Sequence, residues 1–283
     1  MYQFILILMI LCAQGYATED PKAEIQRYLN ALSHAPLDQE SVIKKDLAIA
    51  YYKDQNQEKA FQVFLEAITD KEDETAISKE MQQRYETVLE LYLKEGNPKE
   101  VAQRLLEHCE TLLKQYPNDY LILYLEAIAE ANLECFPDFF EHFYQAYTKY
   151  PNHYLAYKSK AILHTKLFAR MRTVEDKNQE RDNILKNLQQ AIHLYPRDPT
   201  LYKMMLAFSL EEKRPETLSV YLNKIVSENI IIPRSDIAIY VHQAVGYKNF
   251  NLAQRLVDQA KEWYPASRTI QTAQQYIVQA QTK

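Results

Sequence analysis

Three glutamates at four-residue intervals, Glu126, Glu130 and Glu134, have the residue type and the spacing of a recognition site. On a helix the positions i, i+4 and i+8 share one face, so the three carboxylates would form an acidic stripe. An exposed stripe of this kind can select a basic or amide-rich peptide by charge. The alternative interpretation is that the stripe pairs with Lys158 and Lys166 on a neighbouring helix, where exposed ion pairs contribute little stability.

The acidic stripe crosses a segment, residues 120–133, that is apolar on almost every side. Placing a carboxylate in a packing position costs several kcal/mol when it lacks a partner. We therefore expect Glu126 and Glu130 to lie on the exposed face of this helix.

Other kinds of chemistry have little support in the residue types. The chain has three glycines, too few for a loop that wraps a phosphate or a dinucleotide, and no His-Glu-x-x-His, paired Cys-x-x-Cys or Gly-x-Ser-x-Gly motif. The seven histidines show no metal-ligand spacing, and His142 and His153 would meet only by an accident of folding. The sequence therefore predicts no catalytic residue, no metal site and no cofactor. An enzyme would need a buried titratable pair that only folding brings together.

Composition favours a folded, mostly helical protein. The 283 residues include 33 basic and 38 acidic side chains, which gives a formal charge of −5, and 47 % of the residues are apolar. Mild acidity does not provide the clustered basic surface that duplex nucleic acid requires. Scarce glycine and long runs of Leu, Ala, Glu, Gln and Lys are typical of helices.

The cysteines outside the N-terminal run are not expected to form a disulfide. If Cys109 and Cys135 lie on antiparallel helices joined near Pro117, their distances from the turn differ by 10 residues. At ~1.5 Å per residue the offset is roughly 15 Å, whereas a disulfide needs Cα atoms within ~7 Å. We expect two unpaired and mostly buried thiols.

The N-terminus resembles a signal peptide. The ten-residue apolar run from Phe4 to Ala13 is too short to span a bilayer as a helix. Gly15 and Ala17 then form a small-x-small cleavage site, so we predict export with cleavage after Ala17 and a periplasmic or secreted protein. The run lacks the basic residue that usually precedes it. The alternatives are an apolar helix that stays folded on a cytoplasmic protein and a lipid anchor on Cys12.

A dipeptide that returns along the chain predicts the architecture. The dipeptide Tyr-Pro occurs at four of these steps, and Ile232-Pro233 is a near copy. The successive prolines are separated by 34, 45, 37 and 32 residues. Self-similarity at such a period is the mark of a helical solenoid. Proline ends a helix and pushes the preceding residue out of helical geometry, so each step should end one helix pair while its tyrosine fills the seam. The five prolines are Pro117, Pro151, Pro196, Pro233 and Pro265.

The first pair shows which family the solenoid resembles. Leu47, Ala48 and Tyr51 are followed, after eight residues, by Ala60, Phe64 and Ala67. This pattern is similar to the tetratricopeptide repeat, in which small residues let two helices approach closely and large ones fill the gaps. The resemblance covers residues 41–265.

The resemblance implies an all-α, right-handed solenoid of antiparallel helix pairs that binds a protein or peptide in a groove lined by the first helix of each pair. It divides the chain into a signal peptide (1–17), an N-terminal capping helix (18–40), about six helix pairs (41–265) and a C-terminal capping helix (266–283). The groove residues predicted on this basis are Tyr124, Glu126, Glu130, Glu134, Lys158, Ile162 and Lys166.

The resemblance, the N-terminus and the charge together predict a non-enzymatic scaffold or adaptor of the bacterial envelope. It would have a protein or peptide partner, neither nucleic acid nor a small-molecule substrate, and membrane contact only through the N-terminal segment if that segment is uncleaved. The alternative is a chaperone-like or secreted effector that holds an extended segment. Some family members bind a C-terminal carboxylate with a Lys/Asn/Arg clamp. Here Ile49 follows Lys45, and Ile162 follows Lys158, where the clamp needs an Asn, so that clamp is not assembled.

Two further segments have competing interpretations. Residues 136–144 contain five aromatic rings, which could line a peptide groove or belong to the core. The helical spacing of Phe139, Phe143 and Tyr147 puts them on one face and favours the core. An insertion at residues 169–180 explains the interval of 45. Its alternating charges favour a solvated helix extension over a docking protrusion.

Overall fold

The structure is a computed structural model and describes residues 20–68, 77–92, 97–212 and 214–282. The chain divides into two compact units, unit 1 up to Asn187 and unit 2 from Leu188 to Lys283. The described residues form helices and no strand. In chain order the helices are α1 (Pro21–Leu32), α2 (Leu37–Lys53), α3 (Gln57–Ala67), α4 (Lys79–Tyr92), α5 (Pro98–Gln115), α6 (Tyr120–Leu133), α7 (Phe136–Tyr147), α8 (Tyr154–Phe168), α9 (Val174–Leu194), α10 (Pro199–Glu211), α11 (Pro215–Ser227), α12 (Arg234–Gly246), α13 (Phe250–Trp263) and α14 (Arg268–Gln281).

Short polar side chains determine where many of these helices begin. Asp20, Asn56, Asp119, Asp198 and Asn249 each accept a hydrogen bond from a backbone N–H in the first turn of the helix that follows. Such a cap satisfies a donor that the helix leaves unpaired and contributes about 1 kcal/mol. Helix starts are therefore encoded locally.

The predicted all-α fold of antiparallel helix pairs is confirmed. Only three residues separate α2 from α3, the two helices pack along their length, and the Tyr52 and Phe61 rings meet beside the turn at 6.3 Å. Five of the six packing positions that carry the tetratricopeptide resemblance are buried, each at most 2 % exposed: Leu47, Ala48, Ala60, Phe64 and Ala67. The sixth, Tyr51, is half-buried.

Two of the four tyrosines of the Tyr-Pro steps, Tyr150 and Tyr264, contact a neighbouring pair as predicted. The hydroxyl of Tyr264 donates to the carbonyl of Ile232, one step earlier in the chain, at 3.1 Å. Tyr150 is buried, and its carbonyl accepts from the hydroxyl of Tyr124 at 2.8 Å. Tyr116 differs, because its exposed ring lies under the guanidinium of Arg84, 4.1 Å from the ring centroid.

In unit 1 the first pair, α2–α3, packs against α7 and α8, which lie much further along the chain. Phe64 stacks on Phe140 with ring centroids 4.3 Å apart, and Lys45 forms an ion pair with Glu141. This contact is not one that simple sequential stacking of pairs would predict. The facing aromatic surfaces explain it, since each would otherwise remain in water.

The aromatic segment of α7 belongs to the core, as the helical spacing predicted. Phe139 and Phe143 are fully buried and Tyr147 is 1 % exposed. Phe136 and Phe140 are buried with them. Phe61 of α3 meets the ring of Phe136, and Phe64 of α3 meets that of Phe139. The segment therefore holds α3 against α7.

The insertion is in part a helix extension. Residues from Val174 onward belong to α9, and most of those up to 180 are exposed, as a solvated extension requires. Arg170 is different. Its guanidinium donates to the carbonyl of Lys166 at 2.6 Å, hydrogen-bonds Gln57 and lies 5.1 Å from the centroid of the Phe61 ring. It thus attaches the start of the insertion to α3.

In unit 2 the pairs stack in sequence order. The first helices α12 and α14 pack side by side, and Lys203 of α10 forms a 3.0 Å ion pair with Asp236 of α12. The second helices α11 and α13 also pack together, with Gln259 donating to Asn229 at 2.6 Å. This is the arrangement of a helical repeat within unit 2.

Two sequence predictions concern the termini and the thiols. Cys109 is buried, Cys135 is half-buried, and no disulfide joins them, as the axial offset predicted. The proposed signal peptide and Cys12 lie outside the described residues. Within the described part of the chain, no helix combines the length and the apolar character needed to cross a bilayer.

Candidate functional site

Helix α6 lies in the middle of unit 1 and positions the acidic stripe. It contacts α4, α5, α7 and α8, and its residues from Leu121 to Ala131 are all buried. A helix that is apolar on all sides is stable only when neighbours cover every face. The polar side chains on α6 must therefore find partners inside the unit.

The expectation that Glu126 and Glu130 face solvent is wrong. Their exposed fractions are 5 % and 4 %, and the lysine-pairing alternative is also wrong for these two residues. Their partner is His142 of α7, whose Nδ1 lies 2.8 Å from Oε1 of Glu130 and 3.5 Å from Oε2 of Glu126. Burial of the two carboxylates is tolerated because the His142 imidazole takes the place of water as their partner.

The turn between α6 and α7 brings these groups together. Glu134 ends α6 in the left-handed region, with φ of 66°, and α7 folds back antiparallel. His142 follows the turn by about seven residues, while Glu130 and Glu126 precede it by about four and eight. Reflection about the turn therefore places the imidazole level with the interval between the two carboxylates. This reflection is the signal by which the sequence could have identified His142.

The electrostatics of the cluster follow from burial. Burial raises the pKa of Glu130 to about 7, with the hydrogen bond from His142 acting against it, and burial also raises the pKa values of Glu126 and Asp138. Burial lowers the pKa of His142, but the hydrogen bond to Glu130 and the nearby carboxylates outweigh it and raise the value to about 9. The imidazole is thus a cation at neutral pH.

The structure divides the seven predicted groove residues. Four are buried, and one of them, Tyr124, uses its hydroxyl internally. Ile162 is half-buried, and Lys166 reaches the exposed Glu134 at 3.3 Å. The buried four are Tyr124, Glu126, Glu130 and Lys158. A peptide could approach the other three directly, and a binding role for the whole set stays a prediction.

A second histidine occupies a structural position. His153 precedes α8, and its Nδ1 accepts a hydrogen bond from the backbone N–H of Leu155 at 3.4 Å. Its ring lies nearly parallel to that of Tyr124, with centroids 6.0 Å apart, and meets Tyr85 and Tyr154 edge-on or tilted. Burial lowers its pKa to about 4. His153 is therefore neutral in the folded protein at neutral pH.

Comparison with known proteins supplies structural neighbours and no sequence relative. No family model matches the chain, and no curated protein matches it. A tetratricopeptide-repeat protein of Thermus thermophilus, TTC0263, is 15 % identical, with a TM-score of 0.48 over 72 % of this chain and 100 % of that one.

PilW, described as a widely conserved type IV pilus biogenesis factor, is also 15 % identical, with a TM-score of 0.30 over 84 % of this chain and 99 % of that chain. At TM-scores below 0.5 neither likeness carries an argument about function. The tetratricopeptide-like character of the fold is seen instead in its own buried packing positions and paired helices.

Proposed function

We propose that the protein is a non-enzymatic interaction scaffold or adaptor that binds an extended segment of a protein partner. The observation that carries the proposal is the wall made by the first helices of unit 2. Lys203 and Asp236 join α10 to α12, and α12 packs on α14. The stacked first helices of a helical repeat form an extended surface for a partner chain.

The exposed face of α12 gives the wall its chemistry. Ser235, Ile239, His242 and Gly246 are exposed and recur at helical spacing, while the opposite face is buried. Ile239 is 50 % exposed and gives this face a large apolar side chain. The face continues onto α14, since the rings of His242 and Tyr276 lie 3.8 Å apart. Ile239 beside the polar rings of His242 and Tyr276 gives a surface that suits an extended peptide.

The wall can be tested with a photo-crosslinking residue at position 239. We expect that residue to join a partner protein in the cells that make this chain, and Ile239→Asp to weaken binding of the recovered partner by at least about tenfold, because a charge replaces an apolar anchor. The matched control is position 220. Val220 is 61 % exposed on the second helix α11. Equal crosslinking at both positions, or none at either with a monodisperse monomer, would count against the proposal.

We also propose that the scaffold acts outside the cytoplasm. The support is the apolar run from Phe4 to Ala13 and the Gly15-x-Ala17 site that follows it. N-terminal sequencing of the mature protein is expected to begin at Thr18. An intact Met1 would show that the segment is retained and would favour the cytoplasmic alternative.

A further inference from the structure

We propose that Glu126, Glu130 and His142 form a site for a divalent transition-metal ion of the Zn²⁺ type. One ligand atom from each residue can be chosen so that all three lie within 4.8 Å of one another. The site lies in unit 1, and it depends neither on the partner-binding wall of unit 2 nor on the proposed scaffold function. This proposal differs from the sequence analysis, which predicted no metal site because the histidines show no metal-ligand spacing.

A buried oxygen without a partner is the independent sign of a ligand. Oε2 of Glu130 is shielded from solvent and accepts no hydrogen bond. A buried carboxylate oxygen in that state costs free energy that a hydrogen-bonded or coordinated one does not. The His142 imidazole occupies only Oε1 of the same carboxylate. An ion bound by both oxygens of this carboxylate would satisfy Oε2 and would replace the proton that Oε1 shares with His142.

The charges around the cluster do not balance. Glu126 and Glu130 are joined by Asp138, one turn before His142 on α7, and the imidazole is the cation that acts on all three carboxyl groups. In their ionised forms these three carboxyl groups outnumber the single imidazolium, so the mostly buried cluster would carry an excess of negative charge. A divalent ion bound by neutral imidazole would balance two of these charges, which is how proteins accommodate buried acidic groups.

The geometry fits a small tetrahedral ion. Ligand bonds of ~2.1 Å at tetrahedral angles place ligand atoms ~3.4 Å apart. The separation between His142 Nδ1 and Glu126 Oε2 is 3.5 Å. The 2.8 Å hydrogen bond to Glu130 would open by roughly 0.6 Å as the proton is replaced by the ion. His142 retains 29 % side-chain exposure, which gives an entry path and a position for a water ligand.

The donor set selects among metals. Ca²⁺ and Mg²⁺ bind six or more oxygen ligands and keep several waters, which a mostly buried site with one nitrogen does not supply. Imidazole with two carboxylates suits Zn²⁺ and its neighbours in the first transition series. Because the ligands come from α6 and α7, the bound ion would cross-link these two helices beside the turn at Glu134.

The test is metal binding by the full chain, without an affinity tag, after treatment with a chelator and gel filtration. One equivalent of Zn²⁺ is expected to bind in calorimetry and to raise the melting temperature of the wild-type protein. Co²⁺ is expected to give visible absorption bands of a four-coordinate site, and Mg²⁺ at the same concentration is expected to change neither signal.

Two variants of the same stripe separate a site from general attraction to acidic residues. Glu130→Gln keeps the side-chain shape and should weaken Zn²⁺ binding by at least about 100-fold, a larger loss than that for an outer-shell partner. Glu134→Gln, one turn further along and exposed, should bind as the wild type does. His142→Asn gives a second loss of binding, and circular dichroism establishes that each variant is folded. The proposal is overturned if the wild type binds no equivalent of Zn²⁺, if Mg²⁺ binds as well, or if the folded Glu130→Gln protein binds as tightly as the wild type.

Discussion

Replacing Phe140 with Ala is expected to lower the free energy of unfolding of unit 1 by about 3–5 kcal/mol. The ring is fully buried, stacks on Phe64 at 4.3 Å and lies 6.0 Å from the Phe61 centroid. It therefore joins α7 to the first helix pair, and its removal leaves a cavity in addition to the lost apolar burial. Urea unfolding followed by far-ultraviolet circular dichroism measures the loss.

Matched variants make this result specific to the aromatic contact. Gln145→Ala alters an exposed residue of the same helix and should change the free energy of unfolding by no more than about 0.5 kcal/mol. Phe140→Leu should give an intermediate loss, because part of the volume is retained. Trp263 is the single tryptophan, and its fluorescence follows unit 2 separately. A loss below about 1 kcal/mol for Phe140→Ala would show that α2 and α3 do not pack on α7 as described.

His153 is expected to make the protein less stable in mild acid. Its pKa is about 4 in the folded protein against 6.5 in the unfolded chain, so the unfolded state takes up the proton first as the pH falls. Its contribution to stability is therefore complete above pH 6.5, declines as the pH falls from 6.5, and is fully lost below about 4. The total loss from this group is about 2–3 kcal/mol, with partial exposure of the residue taken into account.

The measurement is the difference in unfolding free energy between the wild type and His153→Asn at several pH values. Asparagine can still accept the hydrogen bond at the start of α8, but it does not titrate. The wild type should lose its advantage over the variant as the pH falls from 7 to 4. His34→Asn, a change of an exposed histidine, should follow the wild type throughout. A constant difference between the wild type and His153→Asn would contradict the proposed cause.

Features that depend on neighbouring residues were predicted well. The Tyr-Pro steps end helices as expected, for example at Tyr116 after α5. Phe139 and Phe143 are core residues, as their helical spacing indicated. In each case the interaction that decides the outcome spans one or two turns of helix, so the relevant residues stand close together in the sequence.

The candidate site could not be predicted in the same way. Because α6 is apolar on almost every side, its apolar pattern does not fix its orientation, and an error of one position turns a helix face by ~100°. Such an error is enough to move Glu126 and Glu130 from the solvent to the interior. The contact with His142 also depends on how α7 returns beside α6, which the spacing of histidines along the chain does not reveal.

The sequence by itself therefore determined that this protein is an all-α chain of antiparallel helix pairs, because prolines and apolar periodicity act over a few residues. The tertiary structure alone decided that the acidic stripe is divided between a buried pair and the exposed Glu134, and that α2 and α3 pack against α7 and α8. The physical reason is that burial and charge pairing depend on which helix face meets which neighbour. Many neighbours offer similar apolar surfaces, and only the folded packing chooses among them.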